Sequence, residues 1–494
     1  MSAKRRVLLI VHDGWGVAPK GKGNWLEMAD KPFMDGLLKK YPHCINDAAG
    51  EAVGLPEGTM GNSEVGHLHL GAGRIVWQEL ERINRAIKDG SFSSNKVLLR
   101  AMDRAKESRL HLVGLCSEKG VHSSLEHMYA LLEMAKKNNV DNVYIHFIAD
   151  GRDAPERSAL EYVKQIEKKC DELGVGDIVS VVGRFYAMDR DRNMDRTKIA
   201  YDLLVRGIGK HAKDAQSAVA DGYKSVKTDY YLKPYKLDAF VPIEHDDVVV
   251  FFNFRTDRPR QLTQMLLHGR KDVVTMTEYE EDFECDHAFA EEEVSWNLGN
   301  VLAKHKLKQL RVAETEKYAH VTYFFNSQDE EPCVGEERVM VESAKVKSYD
   351  LKPEMGAFEI TKEVDSALDG GKYDFVLVNF ANADLVGHAG VKKAIIRAVE
   401  VVDACTEMVV NSGLKNGYTV CITADHGNAE DKLYKDGKVK PAHSLDPVHF
   451  IVVSNDKKLQ KVGLKHGGQS DVAPTILKIM GLDKPKEMTG QSLF

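Results

Sequence analysis

Aspartates and histidines recur just beyond strand-like apolar runs near both ends of this 494-residue chain, and arginines do the same in its middle. The run 7–11 leads into His12-Asp13-Gly14. The run 375–380 leads into Ala381-Asn382-Ala383-Asp384, with His388 four residues on. The run 418–423 leads into Ala424-Asp425-His426, and His443 stands shortly before the run 450–454. In open α/β sheets, ligands gather beyond the carboxyl ends of the strands. Leaving His12 aside, Asp13, Asp384 and Asp425 with His388, His426 and His443 form a carboxylate–imidazole set suited to two divalent metals of the Zn or Mn kind. The spacing Asp384-x-x-x-His388 places both on one side of a turn. An aspartate capping the next helix accounts for any single position, but not for the recurrence.

In the middle of the chain the strand ends carry cations. The run 110–115 is followed by Gly120-Val121-His122-Ser123, and 143–148 by Asp150-Gly151-Arg152-Asp153. The run 178–182 is followed by Gly183-Arg184 and then Asp189-Arg190-Asp191-Arg192, and 248–252 by Asn253-Phe254-Arg255-Thr256-Asp257-Arg258. Guanidinium groups pair bidentately with carboxylate and phosphate, so the convergence points to a site for an anionic small molecule. Arg192 and Arg196 read instead as surface partners of neighbouring aspartates. One further segment, Thr59-Met60-Gly61-Asn62-Ser63-Glu64-Val65-Gly66-His67, is a glycine-flanked loop entering a helix. Ser63 there is either a helix cap or a nucleophile whose hydroxyl a metal ionises; on its own the cap is the simpler reading.

Elements that must hold these residues follow from the alternation of strand-like and helical patterns. Apolar runs are expected as strands at 6–11, 110–115, 143–148, 178–182, 248–252, 375–380, 418–423 and 450–454. Leu125, Met128, Leu132 and Ala135 repeat at helical spacing, as do Ile395, Val399, Val402 and, approximately, Ala404. Such alternation implies an α/β fold with mostly parallel sheets flanked by helices. An acidic, irregular stretch at 282–293 and a glycine-rich one at 66–74 are candidate linkers. They bracket a middle segment, so the first and last segments would close into one discontinuous domain. The balance of 68 basic against 75 acidic residues disfavours a general nucleic-acid binder. No apolar run approaches the ~20 residues of a membrane span, and the basic start fails as a signal peptide. The 7 scattered cysteines without a C-x-x-C suit a reduced, cytoplasmic protein.

Taken together, the strings Asp13-Gly14-Trp15-Gly16, MGNSEVGH (60–67), GVHS (120–123), DGRD (150–153), ETEKYAH (314–320) and TADHGNAE (423–430) resemble the cofactor-independent phosphoglycerate mutase family of the alkaline phosphatase superfamily. The resemblance covers essentially the whole chain. It implies an alkaline-phosphatase-like, metal-binding domain from 1–75 and 292–494, with an inserted transferase domain from 76–291. Asp384, His388 and His443 would hold one metal, and Asp13, Ser63, Asp425 and His426 the other. Ser63 would be the nucleophile and form a phosphoserine, assisted by Lys317. His122, Arg152, Asp153, Arg184, Arg190, Arg255, Arg258 and Lys317 would bind the substrate, with Asp153 as acid/base and Arg255 counted with the catalytic group. The implied reaction interconverts 3-phosphoglycerate and 2-phosphoglycerate in glycolysis and gluconeogenesis. It would use two divalent ions, Mn2+ first with Mg2+, Co2+ or Zn2+ as alternatives, and no 2,3-bisphosphoglycerate. The partner is a small molecule, not a nucleic acid or a membrane, and the resemblance leans to a monomer.

Two stretches depart from the family pattern. Ser117-Glu118-Lys119 stands where Ser-Asp-Gly is usual, which bears on the loop at His122. Ser444-Leu445-Asp446-Pro447-Val448 differs from the usual threonine-containing form, although His443 is retained. His12 is read as a strand-end residue and His67 as a packing group behind the site. Two rivals compete with the mutase: a metal-dependent phosphatase using the same Asp/His set, and a binding protein that keeps only the fold.

Overall fold

The computed structural model describes residues 5–269, 271–291 and 294–494. It divides into two compact units, Met1–Gln78 with Glu293–Phe494, and Glu79–Glu292. The domain boundary expected at 292 lies outside the described residues.

In the first unit the strand Arg6–His12 is buried from Val7 onward, so it needs cover on both faces and sits inside a sheet. Its neighbours Phe375–Phe380 and Tyr418–Thr423 run parallel to it, with His12 opposite Phe380 and Val11 opposite Thr423. That register brings the three strand ends level, so Asp13, Asp384 and Asp425 leave the sheet at one edge. The eight strands run in the order Glu336–Val341, Gln309–Glu314, Phe375–Phe380, Arg6–His12, Tyr418–Thr423, Val448–Val453, His43–Asp47, Gly467–Gly468. Val448–Val453 begins two residues before its expected start and is antiparallel to Tyr418–Thr423, with Ile451 opposite Ile422. A strand running backwards starts where its neighbours end. This is why His443, which precedes its strand, reaches the same edge as aspartates that follow theirs.

The helix Lys392–Lys415 buries Ile395, Val399 and Val402, but Ala404 is exposed. Asp403 is the buried residue there, accepting from the N–H groups of Phe33 (3.1 Å) and Met34 (2.8 Å) at the start of the helix Pro32–Lys40. The glycine-rich stretch 66–74 is not a linker. Most of it lies in the buried helix Ser63–Ala72, which ends at Gly73 in a left-handed conformation (φ 64°). Its glycines serve close approach: a Cβ on Gly66 would lie 2.6 Å from the Asp425 carbonyl oxygen, and one on Gly71 would lie 1.9 Å from that of Phe325.

The second unit carries its own eight-stranded sheet, in the order Asp286–Phe289, Asp272–Thr277, Val248–Phe251, Leu110–Leu115, Val143–Ala149, Asp177–Gly183, Tyr235–Leu237, Lys210–Ala212. Every pairing is parallel except Asp177–Gly183 with Tyr235–Leu237. Leu115 faces Ile148 and Ala149 faces Gly183, so the loops bearing Asp150 and Arg184 leave side by side. The helix Leu125–Lys137 buries Leu125, Met128, Leu132 and Ala135 as their spacing predicts. The acidic stretch from 282 contains a short, half-exposed edge strand, Asp286–Phe289, where only irregular chain was expected. Across the central strands of this sheet, Asp247, His111, His146 and Ser180 form a buried chain of polar contacts at 3.2, 2.9 and 2.8 Å. Among the described residues no helix is long and apolar enough to cross a membrane, and the cysteines are free thiols.

The Gly71 contact generates a prediction. Gly71→Ala forces the Ser63–Ala72 helix off the Phe325 carbonyl, at a cost of about 1–3 kcal/mol for an overpacked core. Denaturant unfolding of the variant is expected to show a lowered midpoint; an unchanged midpoint would contradict the contact.

Candidate active site

Ser63 is the first residue of its helix, and the cap is its neighbour: the Asn62 side chain accepts from the Val65 N–H at 3.0 Å. The simpler reading of Ser63 as the cap is therefore wrong, and its hydroxyl is left free for other contacts. Ser63 Oγ lies 2.6 Å from Lys317 Nζ, 3.0 Å from His426 Nε2 and 3.2 Å from Asp13 Oδ1. Lys317 comes from the short helix Thr315–Ala319 and also donates to Asp13 Oδ1 (2.7 Å) and Asp384 Oδ2 (2.8 Å). His426 Nε2 is 3.5 Å from Asp13 Oδ1 and 3.6 Å from Asp425 Oδ2, so Asp13, Ser63, Asp425 and His426 converge.

Beside them, Asp384 Oδ1 faces His388 Nε2 at 3.2 Å and His443 Nε2 at 3.1 Å. The two Nε2 atoms are only 3.1 Å apart. Each of the three imidazoles has its Nδ1 on a backbone carbonyl: His388 on Pro441 (2.8 Å), His443 on Gly61 (2.8 Å), His426 on Gly427 (3.2 Å). A carbonyl only accepts, so Nδ1 carries the proton in the neutral ring and Nε2 presents a bare lone pair inward. Asp425 Oδ2 is buried with no hydrogen-bond partner. Lone pairs aimed at one another and an orphaned carboxylate oxygen are the donor pattern of a cation site. The groupings tight enough to hold an ion are Asp384–His388–His443, Asp13–His67–Asp425 and Asp13–Asp384–His426.

The electrostatics follow from burial. Burial and the Asp425 charge push the Asp13 carboxyl well above the usual carboxylate range. Burial pushes Asp384 the same way, but Lys317, His388 and His443 draw it well below. Burial lowers His426 to about 4, so it stays neutral near pH 7. Burial alone would lower Lys317, yet Asp13, Asp384 and Asp425 raise it, and it remains an ammonium.

Neutral groups to which the sequence reading gave no such role brace the aspartates. Asn379 Nδ2 donates to Asp13 Oδ2 (2.8 Å), and Asn428 Nδ2 donates to Asp384 Oδ1 (2.8 Å). The Gly14 and His426 N–H groups donate to Asp425 Oδ1 at 3.2 and 3.0 Å. His67, expected behind the site, lies 3.3 Å from Asp425 Oδ2 with Nδ1 on the Ser63 carbonyl, and so falls within the second of those groupings. His12 is apart from it, on Thr406 Oγ1 at 2.8 Å. In the divergent loop, Ser444 donates to Glu430, whose other oxygen accepts from the Gly16 N–H at 2.9 Å.

The second unit has a cluster of opposite character. Arg184 is buried and its Nη1 bridges Asp150 (2.6 Å) and Asp153, while its Nε and Nη2 have no partner. His122 Nε2 is 3.7 Å from Asp153, and its Nδ1 is 3.6 Å from Asp257. Asp257 also accepts from Arg190 (2.9 Å) and pairs with Arg255 (3.1 Å). Arg258 is buried, donates to the Met188 carbonyl at 3.1 Å, and leaves Nε without a partner. Burial and the charges of Arg184, Arg190 and Arg152 lower the pKa of Arg258. Arg152 is exposed, and its guanidinium acts on the cluster through this field. Unpaired guanidinium N–H groups that repel one another need an anion.

Asp150 and Asp257 are organising residues the sequence reading passed over. Asp150 accepts from the N–H groups of Arg152, Asp153 and Ala154 and from Ser117 Oγ (2.8 Å). Ser117 thus anchors the divergent loop before His122. Arg196 makes its expected ion pair, with Asp189 at 2.7 Å. Arg192, exposed at φ 62°, makes none among the described residues.

Residues 83–283 match the family model described as BPG-independent PGAM N-terminus. The chain is 48% identical to the 2,3-bisphosphoglycerate-independent phosphoglycerate mutase of Clostridioides difficile, with 99% of each chain covered. It is 46% identical to the enzyme of that name from Methanococcoides burtonii, again over 99% of each. Its structure superposes on Leishmania mexicana phosphoglycerate mutase, solved at low cobalt concentration, with a TM-score of 0.62 and 29% identity over 99% of this chain and 98% of that one. By fold and sequence the chain is thus a two-sheet α/β isomerase. It belongs to the 2,3-bisphosphoglycerate-independent phosphoglycerate mutase family.

His122 supplies a test of the second cluster. Burial and the Arg184 charge lower its pKa to about 4. The unfolded chain takes up a proton near pH 6.5 that the folded ring refuses until about pH 4, so this term is complete above 6.5 and lost as pH falls through that window. At pH 5.5 the loss is about 1 kcal/mol. The His122 imidazole resonance is expected to stay in its neutral position down to about pH 5; a midpoint near 6.5 would show a solvated ring.

Proposed function

We propose that the chain interconverts 3-phosphoglycerate and 2-phosphoglycerate through a phosphoserine at Ser63, without added 2,3-bisphosphoglycerate, in glycolysis and gluconeogenesis. It would do so as a cytoplasmic monomer. The reading rests above all on the three contacts of Ser63 Oγ, with Lys317, His426 and Asp13. Asp384, His388 and His443 would hold one divalent ion and Asp13, Ser63, Asp425 and His426 a second, for which Mn2+ suits the mixed carboxylate–imidazole donors; bound there, the pair supplies Lewis-acid activation and neutralises phosphoryl charge.

The chain's own groups do the rest. Lys317, held as an ammonium by three carboxylates, keeps a donor on Ser63 Oγ and balances the charge of the phosphoryl oxygens. Ser63 Oγ enters the cycle deprotonated, its proton having gone to solvent, and is returned in that state; it forms its bond to phosphorus as the bond to the glycerate 3-oxygen breaks, and that oxygen takes a proton from Asp153. In the second half Asp153 takes the proton of the 2-hydroxyl as that oxygen attacks the phosphoserine. Phosphorus and proton are thus returned to the same glycerate, and no outside phosphate donor enters. Arg184 orients Asp153 through its shared contact with Asp150. Neutral His122 and the guanidinium groups of Arg152, Arg190, Arg255 and Arg258 hold the carboxylate while the glycerate turns. That retention, with water kept away, separates a mutase from a phosphatase.

Ser63→Ala is expected to lower turnover by about 10^3-fold or more while the fold persists, and 32P from labelled substrate should no longer be trapped on protein. Near-normal turnover in a pure preparation would refute the nucleophile. Arg255→Ala is expected to cut kcat/KM about tenfold or more and to raise inorganic phosphate release relative to 2-phosphoglycerate formation. Unchanged kinetics would remove Arg255 from the site.

A further inference from the structure

Lys432 has no part in the reaction outlined above, yet its side chain is wholly buried in the first unit. Its ammonium donates to Asn428 Oδ1. The same amide donates through Nδ2 to Asp384 Oδ1 at 2.8 Å and to the Asp384 carbonyl at 3.3 Å. An ammonium can only donate, so it requires the acceptor end of the amide. The donor end must then face Asp384. With Lys432 in place the amide has one orientation; turned over, it would set an oxygen lone pair against a carboxylate.

The surroundings are shaped to this arrangement. A Cβ on Gly387 would lie 2.7 Å from Asn428 Oδ1, so only a glycine lets the amide sit against the Asn382–Ala389 helix that carries Asp384 and His388. The Lys432 N–H donates to the Gly23 carbonyl at 2.9 Å, and its carbonyl accepts from the Lys440 N–H at 2.9 Å, which pins the backbone on both sides. Burial lowers the Lys432 pKa to about 8 against the attraction of Glu430, Asp384 and Asp431. A lysine held in such a place without touching solvent is there for its charge or its donor geometry.

We propose that Lys432 is a positioning residue: by fixing the Asn428 amide it sets the direction of the Asp384 carboxylate, and through it the cation affinity of the Asp384–His388–His443 triad. This rests on the metal reading given under Proposed function. Groups that orient a metal-binding carboxylate without touching the metal typically change affinity by about 10- to 100-fold when removed.

The test uses the full chain loaded with Mn2+ and titrated with a chelator of known affinity, with released Mn2+ counted by electron paramagnetic resonance. Wild type is expected to retain two ions. Lys432→Met and Asn428→Ala should each loosen one of them by about 10- to 100-fold, leave KM for phosphoglycerate unchanged, and lose turnover that excess Mn2+ restores. Because both act along one path, the double variant should be no weaker than Asn428→Ala alone. Wild-type affinity in Lys432→Met, or losses that multiply in the double variant, would overturn the inference. Should Lys432→Met fail to fold, Asn428→Ala decides, and wild-type affinity there overturns it. If wild type itself retains no Mn2+, the metal reading fails and takes this inference with it; two tight ions with an indifferent Lys432 would sink the inference alone.

Discussion

Three aspartates buried around a single ammonium govern the first unit. Asp13, Asp384 and Asp425 are all excluded from solvent, and among the described residues Lys317 is the one lysine or arginine whose side chain touches them directly. Two unit charges about 4 Å apart at a protein-like dielectric interact by roughly 4 kcal/mol, so one positive charge cannot offset three negative ones in a site closed to water. The rest of the site follows from that excess. Each histidine has its proton on a backbone carbonyl and offers only a lone pair inward. Asn379, Asn428 and backbone N–H groups hold the carboxylates by donation without adding charge. The pocket has the charge excess and donor pattern of a candidate cation site.

The second unit poses the inverse problem. Arg184 and Arg258 are buried with unpaired N–H groups, and Arg152 and Arg190 add to the positive field. Asp150, Asp153 and Asp257 answer part of it and hold the guanidinium groups in place. The unpaired N–H groups left over are suited to an anion. Each cluster pre-arranges groups that repel one another, a cost met by the burial of the apolar sheet beneath it.

Much of this was readable from residue type and position. The carboxyl ends of fully apolar strands are easy to find, and the residue just past each one marks the site edge; Asp13, Asp384, Asp425, Arg184 and Arg255 were all found that way. Three kinds of feature were not. The glycines of 66–74 read as linker because composition does not distinguish flexibility from close packing; only the Asp425 and Phe325 carbonyls pressed against Gly66 and Gly71 reveal the difference. Ser63 read as a cap because Asn62, an equally good cap, is its neighbour, and one backbone step decides which side chain turns in. Asn379, Asn428, Asp150 and Asp257 were missed because an orienting group is defined by its partner across the sheet rather than by its own surroundings. Antiparallel Val448–Val453 explains why His443 alone comes before its strand.

The central position of Arg6–His12 bears on how the polypeptide matures. That strand is made before either of its sheet partners, which lie far downstream, Val7 meeting Phe375 on one side and Thr419 on the other. Its apolar side chains must wait through the synthesis of roughly 360 residues, while the intervening unit, Glu79–Glu292, has all its strands in hand much earlier. During translation that strand stays without its sheet partners until both are made, and the aspartates that follow the three strands are brought together only then.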